Sequence, residues 1–310
     1  MVEPKFTVII PTYNRSDILA GTIASLCEKQ TGLLPDWEVI IVDDGSTDNT
    51  QRVLTEYRNR NARLSFLTQE NKKQGAARNA AMKLAKGELF IFLGDDIIPS
   101  PEFLFTHWKR YVQEGRPSNY AAIGRTFWHP EIKETPFRYW INEWGQQFGF
   151  RLITTPNNVP FNFFYTSNLS FSRSLYQQYG GFDESFREYG WEDTELGYRY
   201  KKNGMELRYE PGAIAYHLHE ITLTSFCKRQ FKVGYSAVQF HRLHPELSDF
   251  LLITKIRPEL AYSKHLLWIV AHFFEILDEH TKADFCRIHD RILKTYLQLG
   301  MLKAQREFGE

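Results

Sequence analysis

Two adjacent aspartates follow a run of five apolar residues in "LFIFLGDDIIP", residues 89–99. Leu89 to Leu93 read as a strand buried on both faces. Asp95 and Asp96 therefore stand where water is scarce, and like charges there repel one another. A pair of this kind suits an oxygen-ligand site for Mg²⁺ or Mn²⁺ that bridges to a diphosphate. The plainer alternative is turn or N-cap chemistry before a helix starting near Pro99.

Three further stretches offer chemistry. "VDDGSTDNT" (42–50) again ends an apolar run in two acids, Asp43 and Asp44, followed by a Gly-Ser turn. A carboxylate at a strand end accepts hydrogen bonds well from a nucleobase N–H or a ribose hydroxyl, although turn chemistry explains it as readily. "NKKQGAARNAA" (71–81) puts Arg78 early in a helix, as either a solvated cation or a partner for a carboxylate or phosphate. "YGWEDTELGYRY" (189–200) sets Glu192 and Asp193 beside Trp191, with Glu195 and Arg199 further on. A helix start enriched in acids is one reading. A general base beside an aromatic platform for a sugar ring is the other. Finally, "AYHLHE" (215–220) spaces His217 and His219 as alternate residues of a strand, on one face, where one could ligate a metal. No other tight His/Cys cluster accompanies them, which argues against zinc.

These residues need a scaffold. "FTVIIP" (6–11) reads as a strand, 16–30 as a helix capped by Ser16, and 37–46 as a second strand. A helix over 47–60, a strand over 64–69 and an alanine-rich helix over 74–87 closed by Gly87 follow. This alternation predicts a parallel sheet of right-handed crossover units, whose ligands bind beyond the carboxyl ends of the strands. The polar clusters Pro11–Arg15, Asp43–Ser46 and Asp95–Asp96 all fall at such ends. Residues 101–160 loosen into an aromatic-rich segment, and from about 222 onward the pattern is helical, with His241, His244 and His272 in it.

The totals set limits. The 310 residues hold 38 basic and 37 acidic side chains, a net of +1, which gives no global attraction to nucleic acid. Cys27, Cys227 and Cys286 are too scattered for a metal and read as reduced thiols of a cytoplasmic protein. "MVEPKFTVIIPTYNR" does not read as a signal peptide. "HLLWIVAHFFEIL" (265–277) is broken by His272 and Glu275 and falls short of the roughly 20 residues that span a bilayer. The expectation is a soluble chain, with peripheral attachment to the inner face of a membrane left open.

In order, "VIIPTYNR", "VDDGSTDNT", "NKKQGAARNAAMKLAKGELFIFLGDD", "TSNLSFSRSLYQQYGGFDE", "GWEDTELGYR" and "AYHLHE" resemble the family 2 glycosyltransferases of the GT-A fold, over roughly residues 5 to 220. The region around "GGFDESFREYGWEDTELGYR" is also similar to galactosyltransferases and chondroitin-type polymerases. The resemblance implies a Rossmann-like, mostly parallel central sheet flanked by helices, in a catalytic domain over 1–221. Its nucleotide-binding half would span about 1–100 and its acceptor half about 101–221, and a helical C-terminal extension would occupy 222–310.

It also implies an inverting transferase that moves a sugar from a nucleotide-sugar donor, usually a UDP-sugar, to a hydroxyl of a saccharide or glycoconjugate. Pro11, Thr12, Tyr13, Asp44, Arg78 and Asp95 would then contact the donor nucleotide. Asp96 takes the last position of the family's DxD metal motif for Mn²⁺ or Mg²⁺, Asp95 its middle position, and His217, or else His219, completes the metal shell. Asp193 takes the place of the general base, Glu192 that of its partner, and Trp191 lies on the acceptor side. Gly94 departs from the pattern, because the family usually has an acid there. A decayed carbohydrate- or nucleotide-binding protein on the same fold is the rival reading, and Gly94 is the one residue that favours it.

Overall fold

In the computed structural model, which describes residues 3–186, 188–257, 264–281 and 283–309, strands and helices alternate as the apolar runs require. The first half comprises β1 (Phe6–Thr12), α1 (Ser16–Glu28), β2 (Trp37–Asp43), α2 (Thr50–Arg60), β3 (Leu64–Thr68), α3 (Lys73–Leu84) and β4 (Leu89–Leu93). Then come β5 (Ile97–Pro99), α4 (Phe103–Gln113), β6 (Tyr120–Trp128), α5 (Pro136–Glu143), β7 (Asn168–Ser172), α6 (Arg173–Tyr179), α7 (Glu192–Lys202) and β8 (Glu206–His217). Three long helices close the chain: α8 (Leu223–Leu243), α9 (Lys264–His280) and α10 (Cys286–Phe308).

The chain divides into two units. Met1–Ile132, Ile153–Glu184 and Asp193–His219 form the first, which holds the whole sheet. Its eight strands run in the order β3-β2-β1-β4-β7-β6-β8-β5. β1 pairs in parallel with β2 and β4, β2 with β3, and β6 with β8. β7 runs antiparallel between β4 and β6, and β5 antiparallel to β8, so the sheet is parallel in its first four strands and mixed beyond them. Every residue of β4 is fully buried, because the strand is central and covered on both faces. The parallel register aligns Thr12 at the end of β1 with Asp43 at the end of β2, so the strand ends converge on one edge.

Lys133–Leu152, Ser185–Glu192 and Glu220–Glu310 form the second unit. The helical assembly therefore includes α5 as well as the segment from 222 onward. α8 and α10 pack against each other through Gly234 and Gly300, since a Cβ on either would collide with the other helix's backbone at Leu297 and Phe231.

Four local expectations are corrected. Ser16 does not cap α1. It is the first helical residue, and its N–H donates to Asp48 Oδ2 at 3.1 Å, so the cap comes from a distant loop. Gly87 does not close α3, which ends in extended Ala85. Its bare Cα is needed because a Cβ would come within 2.5 Å of the Phe6 backbone. Pro99 ends the short strand β5 rather than opening a helix, and α4 begins at Phe103. β8 stops at His217, so His219 lies past the strand rather than on it.

Candidate active site

The turn after β4 carries Asp95 and Asp96. Asp95 Oδ2 accepts from Thr12 Oγ1 at 2.8 Å, and its carbonyl accepts from Thr22 Oγ1 at 2.8 Å. Burial, and then the charge of Asp96, push the Asp95 carboxyl up from the ordinary range to about 7, against the opposing pull of the Thr12 hydrogen bond and of Arg15.

Asp96 faces His217, with Oδ2 at 3.7 Å from Nε2. Leu218 N donates to Asp96 O at 2.9 Å, which ties the end of β8 to this turn. The other ring nitrogen of His217, Nδ1, lies 3.0 Å from the His219 carbonyl. A carbonyl only accepts, so Nδ1 carries a proton, and Nε2 is left facing the Asp96 carboxylate, as a donor when protonated and as a lone pair when not. A proton on Nε2 makes this an ion pair, and in its absence a cation between the two groups offsets the carboxylate charge. His219 is exposed, and its Nδ1 accepts from Arg15 Nη1 at 3.2 Å. That places Arg15, named in the sequence only as the end of the Pro11–Arg15 cluster, beside the acidic cluster. Its position directly after "PTYN", at the same strand end as Thr12, was the available signal.

A metal ion is compatible with this donor set. Among the described residues no group of three or more His, Cys, Asp and Glu side chains stands ready to hold an ion by itself. Asp96 and His217 supply an oxygen and a nitrogen, and Mg²⁺ or Mn²⁺ commonly takes its remaining ligands from water and phosphate oxygens.

Asp44 behaves differently. Its carboxylate accepts from Gln69 Nε2 at 2.7 Å, Lys72 N at 2.9 Å and Lys73 N at 2.8 Å, and the residue is buried. It anchors the loop before α3. Asp48, five residues after Asp43, has a similar duty. Burial raises its pKa, but hydrogen bonds from Thr50 and Ser16 outweigh that and bring it down to about 2. Arg78 is buried on α3, where its Nη2 donates to Gln74 Oε1 at 3.0 Å and its guanidinium lies 5.4 Å from the Phe182 ring centre. Pro11 and Thr12 end β1, and Tyr13 next to them is 47% exposed, as a stacking ring would need to be.

Asp193 lies in the first turn of α7. Its Oδ1 accepts from Thr194 N at 2.8 Å and its Oδ2 from Thr166 N at 3.4 Å. Ser167 O in turn accepts from Gly94 N at 3.4 Å, so one short chain of backbone contacts links Asp193 to the turn that carries Asp95 and Asp96. Glu192 opens the helix. Trp191 has a different commitment. Its indole N–H donates to Val233 O at 2.9 Å, and its ring packs 5.8 Å from Phe240 and 5.9 Å from Phe250, within the helical unit.

Gly94 is also constrained by sterics. A Cβ there would stand 2.8 Å from Ile97 Cγ1 and 3.1 Å from Asp96 Oδ1. The missing acid therefore coincides with a place where this chain has no room for one.

Comparisons with known proteins identify the family and the fold. A family model described as glycosyl transferase family 2 matches residues 7–180, and one described as N-terminal domain of galactosyltransferase matches 155–221. Validoxylamine A glucosyltransferase of Streptomyces hygroscopicus subsp. jinggangensis is 30% identical over 275 residues, covering 79% of this chain and 62% of that protein. Chondroitin synthase of Escherichia coli is 30% identical over 242 residues, covering 68% of this chain and 34% of that protein. The chain thus spans less than two thirds of the length of these relatives.

Among solved structures, mannosyltransferase PcManGT from Pyrobaculum calidifontis, in complex with GDP-Man and Mn²⁺, superposes with a TM-score of 0.61 at 17% identity. The match covers 98% of this chain and 87% of that one. Staphylococcus aureus TarS 1–349 in complex with UDP gives 0.56 at 17% identity, over 99% and 92% of the two chains. The structural likeness shows the GT-A fold, and the family match over residues 7–180 shows that the chain belongs to the family 2 glycosyltransferases.

Proposed function

We propose that the protein is an inverting, metal-assisted transferase that moves a sugar from a UDP-sugar to a hydroxyl of a saccharide or glycoconjugate. The observation that carries this is the pairing of Asp96 with the Nε2 face of a His217 whose other nitrogen is already spent on a carbonyl. Such a pair is built to share a cation. The TarS complexes with UDP and with UDP-GlcNAc, and the PcManGT complex with GDP-Man and Mn²⁺, support the donor class and the metal by analogy.

In this reading Asp96 and His217 would hold Mn²⁺ or Mg²⁺, which would offset the charge that builds on the leaving diphosphate. Thr12 and the exposed ring of Tyr13 border the nucleoside. Arg78, on α3, is a cation for the donor side. Asp44 serves the nucleotide by holding the 69–73 loop in place. Asp193, its carboxylate oriented by the Thr194 and Thr166 N–H groups, accepts the proton of the acceptor hydroxyl as that oxygen attacks the anomeric carbon. Attack opposite the leaving group in a single displacement inverts the configuration. Glu192 precedes the base and is assigned to the sugar hydroxyls.

The test is Asp193→Asn. The variant should keep a UDP-dependent rise in melting temperature and lose sugar transfer from UDP-sugars to a panel of saccharide acceptors. General-base catalysis is typically worth about 10²–10⁴-fold, so a transfer rate equal to that of the parent protein sinks the assignment.

A further inference from the structure

The outer face of α9 is not accounted for by the transferase chemistry. Leu266, Ile269, Phe273 and Ile276 follow the three-and-four spacing of a single helix face, and Trp268 flanks them. These five side chains are between 48% and 65% exposed. A contiguous apolar stripe of this kind on a water-soluble surface marks a contact.

The acids of α9 all turn the other way. Glu275 Oε2 accepts from Thr224 N at 2.6 Å. Asp278 is buried, and its Oδ1 accepts from Phe137 N at 2.9 Å. Glu279 pairs with Arg138 at 2.9 Å and with Lys133 at 3.4 Å. His272, stacked on Trp268 with ring centres 5.7 Å apart, and His280 are the exposed titratable side chains of the helix among its described residues. The surrounding sequence leans the same way. Residues 222–310 carry 13 basic and 10 acidic side chains, against 25 and 27 in residues 1–221. On α10, Arg287 and Arg291 are exposed one turn apart.

We propose that this face of α9 docks on an anionic lipid bilayer, with the helix axis lying in the plane of the membrane. An apolar stripe stripped of carboxylates, on a helical segment of net positive charge, complements acyl chains below and anionic headgroups around it. Trp268 sits at the margin of the stripe, where an indole favours the headgroup level. None of the described helices is long and apolar enough to cross a membrane, so α9 lies on the surface rather than spanning it. A second copy of the chain is a poorer occupant. Five side chains of one helix fall short of the roughly 800 Å² per partner of a standard interface, and two such positively charged segments repel. The proposal does not depend on the donor or the metal.

The test is flotation of the full chain with vesicles of phosphatidylglycerol and phosphatidylcholine, and with phosphatidylcholine alone. The chain should rise with the anionic vesicles, less so at high salt, and Trp268→Phe should remove a blue shift of tryptophan emission on binding. Ile269→Glu with Phe273→Glu should lower the bound fraction about tenfold or more, and Ile269→Ser, a milder change at an exposed position, should lower it partially. Melting and the UDP response should be unchanged in both variants. Absence of vesicle binding, or equal binding by the double variant, overturns the proposal. So does a concentration-dependent dimer that the double variant abolishes, which would give the stripe to a second copy.

Discussion

The ends of β2 and β4 carry the same pair of residues and have opposite characters. Asp43 and Asp44 are surrounded by donors. Ser46 N reaches Asp43 at 2.9 Å, while Gln69 and the N–H groups of Lys72 and Lys73 saturate Asp44. Asp95 accepts from the Thr12 side chain, and its neighbour Asp96 looks across to Nε2 of His217. The first pair is electrostatically satisfied by the fold and organises it. The second is under repulsion and gains from a proton or a cation. The same pair of residues at two strand ends thus takes on different surroundings according to what the rest of the chain delivers.

The sharpest way to break that comparison is Asp96→Asn. If the second pair is the reactive one, transfer should fall by about 10³-fold, roughly 4 kcal/mol of transition-state stabilisation. The Mn²⁺-dependent part of the UDP thermal shift should vanish while the melting temperature of the free protein holds. A variant that keeps its Mn²⁺ response would move the ion elsewhere.

Asp44→Ala should do the reverse. Three donors, on half-buried Gln69 and exposed Lys72 and Lys73, lose a buried acceptor, and each costs about 1 kcal/mol, the low end for unsatisfied groups. A loss of about 3 kcal/mol, seen as a lower denaturant midpoint with an unchanged slope, is expected. Full stability with lost UDP binding would instead make Asp44 a direct ligand of the nucleotide.

This difference was not legible in the sequence, for a physical reason. The strands were readable because Val39–Val42 and Leu89–Leu93 are continuous apolar runs, and their acids announced strand ends. The donors that hold Asp44 come from farther along the chain: Lys72 and Lys73 reach back 28 and 29 residues to it. No local pattern records such distances. His217 and Asp193 stood out by residue type and spacing, and their particular roles came from the ordered motifs. The β5–β8 pairing that brings His217 level with Ile97 rests on a three-residue strand ending in proline, which reads like the approach to a helix. Trp191 looked like a sugar platform because aromatic beside acid suggests one; its bond to Val233 is a tertiary fact.

The third test is pH. Burial and Asp96 hold the Asp95 carboxyl at about 7, against an ordinary value of 3.8. Between about pH 4 and pH 7 the folded chain therefore keeps a proton that the unfolded chain has released. Stability of the metal-free protein should fall as pH rises through that window and level off above it. Three pKa units set a ceiling near 4 kcal/mol, and Asp95 is still partly open to solvent, so about 2 kcal/mol is expected. Asp95→Asn should flatten the profile, and Mn²⁺ should raise stability most at the alkaline end. An unchanged slope in Asp95→Asn would place the titrating group elsewhere.

The smallest effect, and the one that bears most directly on why the two pairs differ, is expected at Gly94. Restoring an acid there should look like repair, since it recreates the first carboxylate of the family's motif. Sterics argue otherwise. The new Cβ would meet Ile97 Cγ1 at 2.8 Å and Asp96 Oδ1 at 3.1 Å, and a third carboxylate would add repulsion to a pair already strained by charge. Gly94→Asp should cost about 1 kcal/mol of stability and leave the Mn²⁺-dependent UDP shift no larger than before. Removing the obstacle with Ile97→Ala should make Gly94→Asp cost less, measured against Ile97→Ala alone, than it does in the parent chain, which separates steric cost from charge cost. If Gly94→Asp alone strengthens Mn²⁺ binding without loss of stability, then Ile97 yields freely, and the glycine reflects a relaxed demand for metal rather than a lack of space.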